Sequence, residues 1–406
     1  MRHGENKAEG GQGDEDYGYR DALPGATPGH RRGAGLNPGN RFEKHRVHQL
    51  GEFLDYEQHE RERELAESVG PGGQPLVGVR VTEVPGGGRV VPLQVFTDKT
   101  KSIINRVTPT SDVPFDWTLN PYRGCEHGCI YCFARPYHEY LGFSIGQDFE
   151  TKIVAKHDAA GLLKHELAKP KWRAEPIVMS AITDIYQPIE KEMRIARQCL
   201  EVLAQCGQPT TTMTKNTLVL RDTELWAELS AINAGRVTVT LVTLDAQLAE
   251  VLEPRASSPI GRLRVIRELS KAGVNVSVNI APVIPGLTDT EVPRILEAIA
   301  DAGAKRVSWV LLRLPYQVKD LFLDWLQRNV HPDRARKVES LIRQSRGGKL
   351  YDASKNRGRG EGHLAAQIRQ NFDVFTRRHG LNRDVRPLSS AHFVKPDVSG
   401  QMGLFG

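Results

Sequence analysis

Three of the five cysteines in this 406-residue chain, Cys125, Cys129 and Cys132, fall within eight positions, in the stretch NPYRGCEHGCIYCFARP. A disulfide framework uses an even, dispersed set in an oxidising compartment, whereas crowded thiols kept reduced bind metal or do redox chemistry. The CxxxCxxC spacing, with Gly124 and Gly128 letting the backbone wrap closely around something bulky, suits a [4Fe-4S] cube. Three thiolates hold three irons where four would saturate the cube, so one iron stays open to a substrate or cofactor. The alternative use of the same thiols is a tetrahedral zinc site completed by His127 or His138. Structural zinc sites more often draw on two cysteine pairs, and here Cys199 and Cys206, seven apart on an expected helix, read as core thiols.

Positioning such a loop falls to the elements around it. Beyond residue 115, short β-branched runs alternate with longer amphipathic segments, the pattern of βαβ units around a parallel sheet. Six strands are expected near Trp117 to Leu119, Ile177 to Ser180, Thr210 to Thr214, Val237 to Val242, Val274 to Ile280 and Val307 to Leu312. Helices are expected over Glu190 to Gln205, Pro259 to Ala272 and Thr290 to Ala302, with Gly207, Gly235, Gly273 and Gly303 near helix ends. Six units predict an α/β fold, an open or partial (β/α)6 barrel over residues 108–318, with function at the carboxyl ends of its strands. The cysteine loop follows the first of them.

Around that barrel, residues 1–48 are polar and Gly-rich and are expected to be a disordered tail. Residues 49–107 form an N-terminal extension in which Pro75 to Phe96 reads as a hairpin turning at Pro85 to Gly88, with Pro92 marking an edge strand. Residues 319–386 read as two or three basic helices and 387–406 as a flexible tail. No stretch reaches the roughly 18 apolar residues of a membrane span, which excludes an integral membrane protein. The polar N-terminus lacks the apolar core of a secretory signal, so a cytoplasmic location is expected. Residues 331–390 carry 14 Lys and Arg against 6 Asp and Glu, a surplus of 8 where the whole chain has +6. Such a segment, including Lys355, Arg357, Arg359, Arg377 and Arg378, suits contact with nucleic-acid phosphates; the alternative is a solvated helical face.

The three cysteines, their place after a first strand and the aromatic Tyr131 before the last of them closely resemble the radical S-adenosylmethionine superfamily. That resemblance implies a [4Fe-4S] cluster on Cys125, Cys129 and Cys132. It also implies S-adenosylmethionine chelated to the open iron and cleaved by the reduced cluster to methionine and a 5'-deoxyadenosyl radical. From about Thr108 to Pro315 the chain looks most like the spore photoproduct lyase-related group, described as DNA repair photolyases. The likeness makes Thr183, in SAITDIYQPIEK, a hydroxyl contact to S-adenosylmethionine, and Lys215, in TTTMTKN, the ammonium for its methionine carboxylate. It makes Thr240, in RVTVTLVT, another cofactor-binding hydroxyl, and Ala281, in VNIAPVIPG, part of the backbone that meets the adenine. LEPRASSP resembles the group's Glu-Pro turn, and Tyr131 and Phe133 match aromatic positions beside the cluster. One departure matters: the lyase's hydrogen-donating cysteine is replaced by Ala181, which puts thymine-dimer activity in question. The motif NPYRGCEHGCIYCFARP followed by HEYLGF also resembles a narrower bacterial subgroup of the same superfamily.

The resemblance implies an enzyme acting on a DNA or RNA base, in repair or modification, fed by a flavodoxin- or ferredoxin-like electron donor. The alternatives are a radical enzyme acting on a peptide or small metabolite, and a non-catalytic iron-sulfur or zinc module. Gln401, Leu404 and Phe405 near the C-terminus resemble the short peptide by which bacterial DNA-processing proteins dock on the sliding clamp.

Overall fold

The computed structural model describes residues 33–38, 40–41, 76–80, 93–108, 113–351 and 358–398, with the backbone alone at 76–80. Within them the strands run β1 Leu76–Arg80, β2 Leu93–Thr97, β3 Ile104–Arg106, β4 Trp117–Leu119, β5 Tyr122–Arg123, β6 Lys152–Ala155, β7 Ile177–Met179, β8 Thr210–Thr214, β9 Gly235–Thr240, β10 Val276–Val283 and β11 Arg306–Leu311. They form two sheets, one ordered β1-β2-β6-β5 and one ordered β11-β10-β9-β8-β7-β4-β3. In the larger sheet the pairs from β4 to β11 are all parallel, and β3 closes one edge antiparallel to β4. All six expected strands are present, in the order a partial barrel requires, and the sheet stays open between β11 and β3.

Alternation within the strands fixes what each face does. Val237, Val239, Val276, Val278 and Ile280 turn outward into one core with Trp226, Leu229, Val265, Ile266, Leu269, Ile295, Leu296 and Ile299 of the covering helices. On the opposite face, Thr238 and Ser277 are paired in register and their hydroxyls lie 2.9 Å apart, and the Ser308 hydroxyl donates to Asn279 at 3.0 Å. Across β9 to β11 the luminal face is therefore polar, an outcome of Thr, Ser and Asn at alternate positions, and Met213 of β8 lies beside it, in register with Thr238.

Several expectations change in detail. The helix expected from Glu190 to Gln205 breaks into Glu190–Met193 and Ile195–Gln205 at Arg194, whose φ is +53°. The buried Glu190 carboxylate accepts the amides of Ala196 and Arg197 and the Tyr122 hydroxyl, so it caps the second helix from inside the first. Asn233, with φ +55°, and not Gly235, makes the left-handed turn before β9, and Gly235 opens the strand. The expected hairpin is present as antiparallel β1 and β2, but β2 lies inside its sheet between β1 and β6. The strand begins at Leu93, so the edge assignment drawn from Pro92 does not hold. The turn at 85–88 and Pro92 itself lie outside the described residues.

The three C-terminal helices are Val318–Asn329, Pro332–Gln344 and Gly362–Arg378. Part of the positive surplus there is consumed by the fold. Arg346 is buried and donates to the Leu312 carbonyl, and Arg359 lies 4.3 Å above the Trp309 ring while donating to the Trp309 carbonyl. Arg359 is thus a structural residue; Lys355 and Arg357 lie outside the described residues. Of the tail expected from 387, the part up to 398 is irregular but hydrogen-bonded, through Ser389 to Asn233, Val394 to Cys206 and Lys395 to Lys169. Cys199 is buried in the main core and Cys206 ends its helix, as expected of core thiols. Among the described residues, no helix is long and apolar enough to cross a membrane.

Lys156, just after β6, is buried. Desolvation and then the Arg123 guanidinium push its ammonium down to about 8, against the pull of Asp98. Below that pH the folded chain carries a buried charge at full cost. Between about 8 and 10.5 the unfolded chain holds a proton the folded chain has released, so stability rises with pH across that window. Lys156→Met should raise the thermal midpoint at pH 7, by the equivalent of up to about 3 kcal/mol, and flatten the alkaline rise. Calorimetry from pH 7 to 10 checks both.

Candidate active site

The cysteine loop starts where β5 ends and is tied down on every side. The Cys125 amide donates to the Phe149 carbonyl at 2.9 Å, the Ile130 amide to Leu252 at 3.1 Å and the Arg255 amide to His127 at 3.3 Å. Arg135, from the end of the motif, is fully buried and uses all its donors. Nε reaches the Cys129 carbonyl, one Nη reaches Ile145 and Gly146, and the other reaches Gly128 and, at 2.5 Å, Glu150. A planar fork with five donors suits this task in a way an ammonium does not.

Glu150 in turn accepts the amides of Gly33 and Ala34, at 3.0 and 2.9 Å. A Cβ on Gly33 would meet the Gly128 carbonyl oxygen at 1.7 Å, so that close approach requires glycine. Ala34 is buried in one cluster with Cys129, Ile130 and Tyr131. Residues 33–38 and 40–41, expected to be disordered, are thus laid against the cysteine loop. Backbone amides meeting a buried carboxylate hold them, where local apolar content would not.

A second set of groups converges from the carboxyl ends of the strands. Asp184, in the loop after β7, accepts the Thr214 hydroxyl at 3.0 Å and the Lys215 amide at 2.8 Å, and stands 3.3 Å from His127 Nδ1. His127 Nε2 lies 3.1 Å from the Asn216 side-chain amide, which puts polar groups beside both ring nitrogens. Burial presses the His127 imidazolium down, but the Asp184 carboxylate and Cys125 thiol override it and push it up to about 10. Burial likewise raises the Cys125 thiol, and the charged His127 overrides that and holds it below the ordinary thiol value. His138, the other candidate zinc ligand, is buried between Phe143 and Phe149 with Nε2 at 3.1 Å from the Asp148 carbonyl. Desolvation lowers it to about 4, so it is neutral.

Lys215, at the end of β8, is half-buried. Desolvation lowers its ammonium, but Cys129 and Glu253 outweigh this and raise it above the usual lysine value. Glu253, from LEPR, is buried and accepts the Tyr131 hydroxyl and the Arg262 guanidinium. Burial raises the Glu253 carboxyl, and Arg262 with Lys215 overrides it and holds it low. Arg262 also donates to the Ser257 and Thr240 carbonyls at 2.8 and 3.1 Å, which pins the loop after β9. The Thr240 hydroxyl is buried yet has no hydrogen-bond partner among the described residues. Thr240 ends β9 one residue past the pair formed by Val239 and Thr214, which places it beside Lys215.

The residues read from sequence separate into groups. Cys125, Cys129 and Cys132 share one loop with Tyr131, and Lys215 lies within electrostatic reach of Cys129 and Cys132. Thr183 is buried and donates to the Gly124 carbonyl at 2.6 Å, so its proton holds the cysteine loop. Ala281 is half-buried on β10 where its register with β11 shifts, and Phe133 is 43% exposed with the Arg313 guanidinium 5.5 Å from its ring centroid. Sequence reasoning passed over Asp184 as a hub, and also Arg135, Glu150, Glu253, Arg262 and the Glu126–Arg255 pair at 2.8 Å. The available signal was charge placed inside apolar motifs, as in GCEHGC and CFARP.

The donor set fits an iron-sulfur cluster and a zwitterionic cofactor. Three thiols sit on one loop, the Lys215 ammonium acts electrostatically on two of them, and the buried Thr240 hydroxyl lacks a partner among the described residues. Among the described residues, no set of three His, Cys, Asp or Glu side chains lies close enough to share a single metal ion. A cube spreads its thiolates more widely than one ion does.

A model of the radical SAM superfamily matches residues 119–299. The uncharacterised protein Rv2578c of Mycobacterium tuberculosis is 39% identical over 246 residues, which are 60% of this chain and 72% of that protein. The uncharacterised protein MJ0683 of Methanocaldococcus jannaschii is 29% identical over 199 residues, 49% of this chain and 71% of that one. In fold the chain is similar to spore photoproduct lyase complexed with dinucleoside spore photoproduct, with a TM-score of 0.51 at 14% identity over 71% of this chain and 80% of the other. The chain belongs to the radical S-adenosylmethionine superfamily. It is an enzyme of that superfamily, with a [4Fe-4S] cluster and S-adenosylmethionine as cofactors. When bound, these supply one chemistry, reductive cleavage of the sulfonium to a 5'-deoxyadenosyl radical.

Proposed function

We propose that Cys125, Cys129 and Cys132 hold the cluster, Lys215 binds the methionine carboxylate of S-adenosylmethionine, and the radical acts on a base of DNA or RNA. What supports the cofactor roles is the Lys215 ammonium, within electrostatic reach of Cys129 and Cys132, together with the Thr240 hydroxyl, buried without a partner among the described residues at the end of the neighbouring strand. Thr240 supplies a hydrogen bond to the cofactor, Ala281 lies against its adenine, and Tyr131, fixed by Glu253, and Phe133 flank the cluster. Thr183 keeps a lone pair for the cofactor while its proton ties the loop to Gly124. The polar luminal face of β9 to β11, with Thr238, Ser277, Asn279 and Ser308, favours a hydrogen-bonding heterocycle over an apolar side chain. The fold neighbour's dinucleoside ligand points the same way. Ala181 argues against the lyase's own reaction, because a hydrogen-donating thiol is missing at that position.

Lys215→Met should weaken S-adenosylmethionine about tenfold to a hundredfold, the worth of one charge-assisted contact, and leave the iron content unchanged. Equilibrium dialysis with labelled cofactor alongside an iron assay checks both. The substrate reading is tested by offering nucleic acids and metabolite extracts to the reconstituted enzyme with deuterated substrates, and following label into 5'-deoxyadenosine. Transfer from a nucleobase supports the reading, and transfer only from a peptide or metabolite overturns it.

The remaining partners belong to the same proposal. A flavodoxin- or ferredoxin-like protein reduces the cluster in the cytoplasm. Exposed arginines among residues 331–390 contact phosphate. Gln401, Leu404 and Phe405, which lie outside the described residues, dock on the sliding clamp. Removing residues 399–406 should abolish clamp binding; unchanged affinity would dispose of that contact.

A further inference from the structure

One carboxylate oxygen joins the cysteine loop to the end of β8. Asp184 Oδ2 accepts the Thr214 hydroxyl at 3.0 Å and the Lys215 amide at 2.8 Å, and it lies 3.3 Å from His127 Nδ1. The other oxygen, Oδ1, accepts the Tyr186 amide at 2.9 Å and so folds its own loop. His127 stands between Cys125 and Cys129 in sequence, and its ring is bracketed by Asp184 on one side and, at 3.1 Å, by the Asn216 side-chain amide on the other. The Thr214 hydroxyl also accepts the Asn216 backbone amide at 3.0 Å, and the Ser257 amide donates to the Lys215 carbonyl at 3.0 Å. The backbone of Lys215 is thus held at both its amide and its carbonyl, and the oxygen that holds the amide also meets the cysteine loop.

A lysine ammonium rides on a flexible four-carbon stem, so the places it can reach are set by where its backbone is fixed. In the reading above, one methionine carboxylate has to meet this ammonium and the iron left open by three thiolates. The separation between the end of β8 and the cysteine loop has to suit both contacts at once, and a misplacement of about 1 Å is enough to cost a large factor in such a site. Two other side chains of the loop after β7 also hold the cysteine loop: Thr183 and Gln187 donate to the Gly124 carbonyl, and Gln187 accepts the Glu126 amide. Of the three side chains, Asp184 is the one whose bonds continue to β8.

We propose that Asp184 is a positioning residue for S-adenosylmethionine binding, which sets the place of the Lys215 ammonium relative to the cysteine loop. This rests on the role given to Lys215 above and goes beyond it by assigning part of the cofactor affinity to a residue that acts through Lys215. Asparagine has the same shape but cannot do the same work, since it offers one acceptor oxygen and one NH2 donor. With its oxygen turned to Tyr186, the NH2 faces the Lys215 amide, donor against donor. With its oxygen turned to Lys215, the NH2 faces the Tyr186 amide instead.

A double-mutant cycle on S-adenosylmethionine affinity tests it, by equilibrium dialysis on the anaerobically reconstituted full chain with an iron assay on each variant. Asp184→Asn should keep about four irons per chain and weaken the cofactor about tenfold. In a Lys215→Met background the same substitution should cost less than about twofold, because the group it positions is gone. A merely structural loss would weaken the cofactor by the same factor in both backgrounds, and that additivity overturns the proposal, as does wild-type affinity in Asp184→Asn. If Asp184→Asn sheds its iron, Thr214→Val decides the matter, since it takes one donor from the same oxygen and leaves the Lys215 amide in place. Affinity about threefold weaker in Thr214→Val, with no further loss when it is combined with Lys215→Met, supports the proposal, and unchanged affinity overturns it. Wild-type affinity in Lys215→Met itself would instead overturn the reading on which the proposal rests.

Discussion

Cys129→Ala, reconstituted with iron and sulfide without air, is expected to stay nearly colourless and to fall from about four irons per chain to a small residue. Among the described residues, Cys129 has no substitute nearby. Both ring nitrogens of His127 have polar groups beside them, Asp184 and Asn216, and Cys199 is buried in the main core. Loss of one thiolate leaves two anchors on a cube whose vacant corner must stay open for the cofactor. The contrast with Lys215→Met separates holding the cluster from binding S-adenosylmethionine. Loss of iron in both variants alike would show that the ammonium supports the loop and not the cofactor.

The second large effect is expected from Arg135→Met, at about 3–5 kcal/mol of stability. The substitution leaves Glu150 without its guanidinium partner and takes donors from the Gly128, Cys129, Ile145 and Gly146 carbonyls at once. Because Glu150 also holds the Gly33 and Ala34 amides, residues 33–41 should loosen together with the cysteine loop. Denaturant unfolding gives the stability loss, and limited proteolysis reports the N-terminal segment. Arg135→Lys should recover little, since one ammonium has three donors where five are in use. A loss under 1 kcal/mol with unchanged proteolysis would show that the fork is dispensable.

What was legible in the sequence depended on how local the signal was. The cysteine loop is a contiguous motif, and the strand pattern follows from valines and threonines alternating between helix-facing and luminal sides, as in β9. Both could be read directly. Contacts across the chain could not. The Gly33 amide meets a carboxylate 117 positions away, and nothing near Gly33 announces it. The Tyr131–Glu253 bond spans 122 positions; the Glu-Pro turn was visible, but the carboxylate's role in fixing Tyr131 and Arg262 was not. In SAITDIYQPIEK the resemblance singles out the Thr183 hydroxyl and not the carboxylate beside it. The structure gives the central place to Asp184, because a carboxylate accepts several donors at once and the adjacent hydroxyl is spent on Gly124. Arg359 stood out by charge in a basic run, yet Trp309 absorbs it into the fold.

The measurement closest to the central claim is electron paramagnetic resonance of the anaerobically reconstituted, dithionite-reduced protein, recorded with and without S-adenosylmethionine. A signal from a reduced [4Fe-4S] cluster whose shape shifts when the cofactor is added is the predicted result, because a cube held by Cys125, Cys129 and Cys132 alone has one iron free to bind it. An identical spectrum with and without the cofactor, or a colourless protein holding one zinc, would contradict the account.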